Sequence, residues 1–342
     1  YAKSVAGDDY LLLAERLAEK GQKDKALAIC KQFGAEAPIH QQIKVLAILV
    51  SVQGEQTMTE LLAAADSDNA ELQAAAVKMG GAIRGAKVTT QWVDKLQKAN
   101  PTLAARILGM LGERGDQSAW EAVVKAFGHA DGQVVIAAME AAAKLRPGEA
   151  VEPILAVLRQ NAQPEIIAAG CDILMRLPSD KPLLAAADAL KTMPQASRIA
   201  LMEGLAGRAA MCCSAALLAQ AQEADGPIRL AAMKALSDVA GAGDMPAVIQ
   251  LMLDSTNEQE RTALQRAVVQ AALREADKEK QAQPLLDVLP SVSGANKAIV
   301  LRCMGRIGGA KALTAVLDAA KSEDAEIKDA GIRALADWPD AS

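Results

Sequence analysis

The segment 228–244, IRLAAMKALSDVAGAGD, has an apolar residue at every third or fourth position until glycine and aspartate interrupt the pattern. With Ile228 as the anchor, the apolar face comprises the anchor and the residues at offsets +3, +4, +7, +8 and +11. These offsets lie on one side of an α-helix. The segment therefore predicts an amphipathic helix that is followed by a turn.

The same template recurs along the whole chain. Consecutive anchors are 28 to 35 residues apart, with an average spacing of 32 residues. The pattern is clearest at Val134, Ile228 and Ile327, and it is poorest at Ser197 and Arg261. The ten anchors are Ile39, Leu72, Asn100, Val134, Ile166, Ser197, Ile228, Arg261, Asn296 and Ile327. A fixed period of this length is typical of a repeat architecture.

A shorter amphipathic segment precedes each of these helices, as at 119–130, 151–161, 246–255 and 312–322. Turn formers such as Asp131-Gly132 separate the two segments. The repeating unit is therefore predicted to be a first helix, a tight turn and a second helix. A pair of short amphipathic helices cannot bury its apolar face alone, but stacked copies can.

Composition supports an all-α fold, because 51% of the residues are hydrophobic but only 2% are aromatic. Much of the apolar content is alanine and leucine, which are strong helix formers. The net charge of −5 and the scarcity of aromatic rings argue against a nucleic-acid partner. No uninterrupted apolar run is long enough to predict a membrane span.

The repeated unit resembles HEAT-like repeats in their short bacterial form, and the resemblance covers residues 39–342. It implies an all-α fold, a right-handed α-solenoid of about ten stacked helical hairpins that is related to armadillo-type superhelices. Residues 1–38 resemble a tetratricopeptide hairpin and are predicted to cap the stack. We therefore expect residues 1–342 to form a single continuous α-solenoid.

The chain offers little catalytic or metal-binding chemistry. Its two histidines, His40 and His129, lie in different repeats, and no HxxE or HExxH spacing is present. The adjacent Cys212 and Cys213 are expected to be small residues of a helix core, while a redox role stays open. The sequence predicts no catalytic residue, no metal site and no cofactor, and thus a protein that is not an enzyme.

A candidate binding surface follows from the template. The resemblance implies that the second helices line the concave side of the solenoid, and offset +6 points away from the apolar face. The residues at offset +6 are Val45, Lys78, Arg106, Glu140, Asp172, Glu203, Lys234, Ala267, Arg302 and Arg333. The eight charged members are predicted to form a ridge, which is either a solvated face or the binding site of a protein or peptide of complementary charge.

Offset +1 carries a basic residue in four of the later repeats, namely Arg198, Arg229, Lys297 and Lys328. The resemblance to HEAT-like arrays implies that such residues donate hydrogen bonds across the joint between repeats. A structural role is therefore expected for them.

The final stretch, ALADWPDAS at 334–342, places Trp338 at offset +11, which predicts a buried position. No polar helix follows it, so we expect further chain or a partner to cover this end.

The stretch also resembles repeats of secreted bacterial HEAT-like proteins that accompany keto-disaccharide hydrolase-type domains. That resemblance implies an alternative function, a helical accessory domain of a larger secreted carbohydrate-processing protein, and favours a periplasmic or secreted location. A HEAT-like nucleic-acid enzyme of the alkylation-repair type is a more distant alternative, which the acidic ridge centre opposes.

Overall fold

The computed structural model describes residues 2–339, and all regular secondary structure in this range is helical. The α-helices are α1 (Ala2–Glu19), α2 (Lys23–Cys30), α3 (Ile39–Gln53), α4 (Met58–Ala64), α5 (Ala70–Ala82), α6 (Ala86–Leu96), α7 (Pro101–Arg114), α8 (Trp120–Lys125), α9 (Gly132–Leu145), α10 (Val151–Gln160), α11 (Pro164–Arg176), α12 (Lys181–Ala189), α13 (Gln195–Gly207), α14 (Ser214–Gln220), α15 (Gly226–Val239), α16 (Met245–Asp254), α17 (Glu258–Leu273), α18 (Lys278–Gln281), α19 (Gln283–Val288), α20 (Gly294–Ile307), α21 (Ala310–Ala320) and α22 (Ala325–Ala336). Short 3₁₀ helices occupy Gly54–Thr57, Gln117–Ala119, Ala126–Gly128, Leu190–Thr192, Met211–Cys213, Ala242–Asp244 and Leu289–Ser291.

The chain divides into two compact units, Tyr1–Val157 and Leu158–Ser342. Each unit is a stack of helical hairpins, so the predicted all-α repeat fold is confirmed. The second helices of the hairpins are α3, α5, α7 and α9 in the first unit, and α11, α13, α15, α17, α20 and α22 in the second. Continuity of the solenoid over residues 1–342 stays a prediction.

Within each unit, consecutive second helices pack directly against each other, whereas the first helices of neighbouring hairpins touch only lightly. Small residues make the close approach possible. A Cβ added to Gly305 on α20 would lie 2.5 Å from the carbonyl oxygen of Ala334 on α22. A Cβ added to Gly112 on α7 would lie 2.9 Å from the Cα of Ala141 on α9. Neither position has room for a side chain.

Most second helices begin at an asparagine or aspartate whose side chain accepts hydrogen bonds from the first backbone amides. These caps are Asn69, Asn100, Asp131, Asp225, Asn257 and Asp324. A carboxylate or amide oxygen at this place satisfies amides that have no partner inside the helix. Asn100 is therefore a cap, and its Oδ1 accepts from the amide of Leu103 at 2.9 Å. The caps Asn69, Asp131, Asp225 and Asp324 each precede the anchor of their helix by three residues, so the anchor of α7 is the buried Leu103. Counted from Leu103, Arg106 lies at offset +3 rather than at the predicted offset +6.

The predicted register is wrong in three second helices, α3, α7 and α17. In α17, Glu260 is buried and Arg266 is exposed, so the helix is shifted by one residue from the predicted anchor Arg261. Ala267, predicted to be exposed at offset +6, is fully buried. In α3 the shift is two residues, because Gln41 occupies the buried anchor position.

The errors in α17 and α3 have one cause, which is a polar side chain at a position where the template requires an apolar one. Glu260 accepts hydrogen bonds from Arg229, and Gln41 donates to Asp8 Oδ1 at 3.0 Å. Because its polar atoms find partners, such a side chain can occupy the buried face. In α3 the exposed position is Ala47 rather than Val45, which is half-buried.

Two further expectations need correction. α22 ends at Ala336, so Trp338 lies beyond the helix and is only half-buried. Of the adjacent cysteines, Cys213 is buried, with its thiol 3.5 Å from the carbonyl of Leu183, but Cys212 is exposed. The two residues lie in a 3₁₀ turn, which directs consecutive side chains to different sides.

At the beginning of the chain, α1 and α2 form a hairpin, and both helices pack against α3. Leu11 and Ala14 of α1 meet Ala26 and Ile29 of α2 in a small core. The helix α2 thus also serves as the first helix of the hairpin that contains α3. The tetratricopeptide resemblance and the capping role of residues 1–38 stay predictions.

Candidate functional site

The charged ridge residues of the first unit lie on three successive second helices. Lys78 on α5 is exposed, while Arg106 on α7 and Glu140 on α9 are half-buried. Arg106 donates from Nη1 to the carbonyl of Ala70 at 2.9 Å, so it also ties α7 to the start of α5. Lys78 and Arg106 line one pocket of about 440 Å³ between these two helices.

The second unit begins with the acidic members of the ridge. Asp172 on α11 and Glu203 on α13 are both exposed. Arg176, one helical turn after Asp172, donates from Nε to its Oδ2 at 2.9 Å. The exposed ion pair of Arg176 with Asp172 contributes little stability. The carboxylates of Asp172 and Glu203 therefore remain accessible to a partner.

The basic members of the ridge follow in the same unit. Lys234 on α15 and Arg333 on α22 are exposed, and Arg302 on α20 is half-buried. Arg333 donates to Asp329, one turn earlier, at 2.8 Å. Arg302 makes a long hydrogen bond of 3.4 Å from Nε to the carbonyl of Ala298. All eight predicted ridge residues thus lie on second helices, and none of them is fully buried.

Sequence reasoning missed one ridge residue, Arg266. It occupies offset +6 of α17 once Glu260 is taken as the anchor. The basic series at offset +1 could have shown this register, because the same shift places Arg261 in line with Arg198 and Arg229. The second unit therefore presents two acidic residues followed by four basic ones along its second helices.

A pocket of about 930 Å³ opens beside α15 and α17 in the second unit. Lys234, Arg266 and Arg306 line it, together with the carboxylates of Asp238 and Glu258. The pocket is thus a charged depression on the surface of the second helices, with three cations against two carboxylates.

Three arginines at offset +1 of the second helices hold joints of the second unit. Arg198 Nη1 lies 3.8 Å from Glu223 Oε1. Arg229 donates to Glu260 on the next second helix at 2.8 Å. Arg261 Nη2 lies 3.5 Å from Asn296 Oδ1, again on the next second helix. The structural role expected for Arg198 and Arg229 is confirmed, so these arginines are separate from the ridge.

Two arginines at the C-terminal ends of α7 and α17, one in each unit, hold the end of the preceding second helix. Arg114 donates to the carbonyl of Gly81 in the last turn of α5 and to those of Ile83 and Gly85 just after it. Arg274 donates to the carbonyls of Ser237, Asp238 and Ala240 at the end of α15. A cation at a helix C-terminus satisfies carbonyls without a helical partner and complements the helix dipole.

The thiols beside the ridge are not activated. Burial raises the pKa of Cys171 to about 12, and the Glu203 carboxylate adds to the effect. Burial also raises the pKa of Cys303 to about 12. Both are therefore protonated thiols at neutral pH, and the thiolate is the nucleophilic form.

His40 Nε2 lies 3.0 Å from Asp8 Oδ1, whereas His129 accepts from the amide of Asp131 at 3.0 Å in a turn before α9. Within residues 2–339, no group of three or more histidine, cysteine, aspartate or glutamate side chains is arranged to hold a metal ion. In the same range, no helix is both long and apolar enough to span a bilayer.

No protein-family model matches the chain, and no curated protein matches its sequence. Several solved structures share its fold. Kap95p, whose binding induces the switch loops of RanGDP to adopt the GTP-bound conformation, is 15% identical and has a TM-score of 0.52. The match covers 97% of this chain and 55% of Kap95p, so the chain spans about half of that protein.

Two other similar structures are the karyopherin Kap121p and human deoxyhypusine hydroxylase. Kap121p, bound to the extreme C-terminus of the protein phosphatase Cdc14p, is 12% identical with a TM-score of 0.49, over 97% of this chain and 46% of Kap121p. The hydroxylase, in complex with glycerol, is 17% identical with a TM-score of 0.34, over 75% of this chain and 99% of the hydroxylase. These structures give no support to the resemblance of 334–342 to secreted proteins, which stays a prediction.

Proposed function

We propose that this chain, a HEAT-like repeat protein with an all-α solenoid fold, is a non-enzymatic scaffold that binds a protein or peptide partner along the ridge. The ridge comprises Lys78, Arg106, Glu140, Asp172, Glu203, Lys234, Arg302 and Arg333, with Arg266 added by the corrected register. One observation carries the proposal: in the second unit, a charged side chain occupies the same repeat position on all six second helices, at the exposed or half-buried surface. Repeat proteins use such extended surfaces for recognition.

Two observations support the choice of this surface. Within each unit the second helices pack more closely than the first helices, as they would on the inner side of a curved stack. The fold is also that of Kap95p, which binds RanGDP. Fold alone does not imply function, so the assignment depends on the ridge itself.

A photo-crosslinking amino acid at Ala168 tests the proposal. Ala168 is exposed at offset +2 of α11, on the same side as Asp172. The matched control carries the crosslinker at Leu184, which is exposed on the first helix α12. Both proteins are irradiated in extract of the source organism, and crosslinked peptides are identified by mass spectrometry. We expect a discrete protein partner from position 168 and none from position 184.

The identified partner is then purified, and its affinity is measured at low salt. Replacing Asp172, Glu203 and Glu140 by lysine should weaken binding by about tenfold or more, since each exposed charge contact contributes a few-fold. The control replaces two exposed carboxylates of first helices, Asp188 and Asp318, by lysine. Unchanged affinity of the ridge variant would show that the ridge is only a solvated surface.

A further inference from the structure

The second unit contains a row of three basic side chains, Lys234, Arg266 and Arg302, which lie on the successive second helices α15, α17 and α20. Among the described residues, none of the three has a carboxylate within ion-pair distance. The neighbouring cations differ, because Arg333 pairs with Asp329 and Arg306 lies 3.7 Å from Asp337. The row thus consists of cations without an ion-pair partner among the described residues, and two of them, Lys234 and Arg266, line the pocket of about 930 Å³.

We infer that this basic row binds an acidic segment of a partner protein in the polyproline II conformation, with a carboxylate at every third residue. The inference rests on the proposed function and names the chemistry of the partner. Axes of helices in direct contact are about 8–10 Å apart. Polyproline II has three residues per turn and rises about 3.1 Å per residue, so every third side chain lies on the same side, about 9 Å further along.

A β-strand does not fit the row equally well. Its side chains alternate between two faces, so residues three apart point in opposite directions. Polyproline II also has no internal hydrogen bonds and is common in unfolded segments that are rich in charge and proline. A disordered acidic segment therefore matches both the charge and the spacing of the three cations.

Other charges near the row favour a peptide over a nucleic acid. The carboxylates of Asp238 and Glu258 line the same pocket and would repel a continuous phosphate backbone. Asp172 and Glu203 precede the row on α11 and α13 and would repel it further. A peptide can place neutral or basic residues opposite these carboxylates, and the whole chain has only seven aromatic residues for base stacking.

Fluorescence anisotropy with labelled probes tests the inference on the full chain. The first probe is a peptide of about twelve residues with glutamate at every third position, separated by proline and alanine. The second has the same composition with the glutamates contiguous, and the third is a single-stranded oligonucleotide of equal charge. We expect the first probe to bind at least about fivefold more tightly than the others, and to weaken as salt is raised.

Arg266→Glu should weaken binding of the first probe by about tenfold, because it replaces an attraction by a repulsion at an exposed site. Arg266→Gln should weaken it by about threefold. Lys311→Glu, an exposed charge reversal on the first helix α21, is the matched control and should bind as the wild type does. Circular dichroism and thermal unfolding confirm that each variant is folded.

Tighter binding of the oligonucleotide, or equal binding of the two peptides, would overturn the inference. So would an affinity for the first probe that Arg266→Glu leaves unchanged. These results leave the proposed function standing if binding of the partner crosslinked at position 168 is still weakened by the charge reversal of Asp172, Glu203 and Glu140. The two proposals can fail separately, because the two measurements use different residues. The affinity of the partner tests the acidic residues of the ridge, and the affinity of the peptide probe tests Arg266.

Discussion

Arg229 and Glu260 form a two-point contact between α15 and α17, in which Nε and Nη2 of the arginine both lie 2.8 Å from the same carboxylate oxygen, Oε1. The other oxygen accepts from Ser255 Oγ at 3.0 Å. Glu260 is buried at a position where most repeats have an apolar anchor. The joint between these two helices therefore depends on a satisfied charge instead of a hydrophobic contact.

We expect Glu260→Ala to lower the free energy of unfolding by about 2 kcal/mol, because the half-buried Arg229 loses its carboxylate partner. The double variant Arg229→Met with Glu260→Leu should recover most of this loss, since an apolar pair can replace a buried ion pair. Urea unfolding of the wild type, the single variants Arg229→Met and Glu260→Leu, and the double variant measures the coupling. Glu258→Ala, which removes an exposed carboxylate on the same helix, should change little. A double variant that is less stable than both single variants would contradict this explanation.

The contact also shows why sequence reasoning succeeded for most helices and failed for the registers of α3 and α17. Apolar spacing depends on burial, and burial follows the helical period, so the ten second helices were predictable from the pattern alone. Glu260 and Gln41 are buried because their partners, Arg229 and Asp8, lie in other helices. A local pattern contains no information on such partners, and so Arg266 was missed.

The ridge was predictable to the same extent. Residues such as Lys78 and Lys234 are exposed because the template places them opposite the buried face. Arg106 is half-buried because the true anchor of α7 is Leu103, which places Arg106 at offset +3, where it donates to the carbonyl of Ala70 in the preceding repeat. Trp338 was predicted to be buried from its helical spacing. Because α22 ends at Ala336, that spacing does not apply to Trp338.

Gly305→Ala should destabilise the protein by about 2 kcal/mol. The added methyl group would lie 2.5 Å from the carbonyl oxygen and 2.6 Å from the Cα of Ala334, and backbone atoms of a packed helix cannot easily move away. Overpacking of this kind costs about 1–3 kcal/mol, which exceeds the gain from replacing glycine in a helix. Gly109→Ala, on α7, is the control, because no other atom lies near its added Cβ. It should stabilise by about 0.5–1 kcal/mol. Thermal unfolding that ranks the two variants in the opposite order would refute the packing argument.

Asp116 should make stability depend on pH in the acid range. Thr89 Oγ1 donates to Asp116 Oδ2 at 2.5 Å, and this hydrogen bond, with further ones from Ser118, holds the pKa of the Asp116 carboxyl below its usual value. As pH falls, the unfolded state therefore binds the proton before the folded state does. The contribution of Asp116 to the free energy of unfolding is complete above the usual carboxyl pKa and is lost as pH falls through the lowered pKa. We expect the stability difference between wild type and Asp116→Asn to shrink between pH 5 and pH 2 in urea titrations. Asp94→Asn, at an exposed position of α6, is the control. A difference that stays constant over this range would exclude the linkage.

Thiol reactivity should distinguish Cys212 from the other cysteines. Cys212 is exposed, whereas Cys30, Cys171, Cys213 and Cys303 are buried. Burial, with a contribution from Cys212, raises the pKa of Cys213 to about 12, so the reactive thiolate is scarce near neutral pH. We expect one fast-reacting thiol per native chain at pH 8 with a chromogenic disulfide reagent, and reaction of all five only after unfolding. Cys212→Ser should abolish the fast phase. A fast phase that persists in this variant would show that a buried thiol is accessible.

The register of α17 can be tested with two neighbouring substitutions. Ala267 is fully buried, and Arg266, the residue before it, is exposed. Ala267→Glu should lower the free energy of unfolding by about 3 kcal/mol or more, because it places an unpaired charge in the core. Arg266→Glu should change stability by less than about 0.5 kcal/mol, as surface substitutions usually do. Urea unfolding of both variants measures the difference. The register first predicted from Arg261 requires the opposite result, in which position 267 tolerates a charge. A stable Ala267→Glu variant would therefore restore that register and remove Arg266 from the ridge.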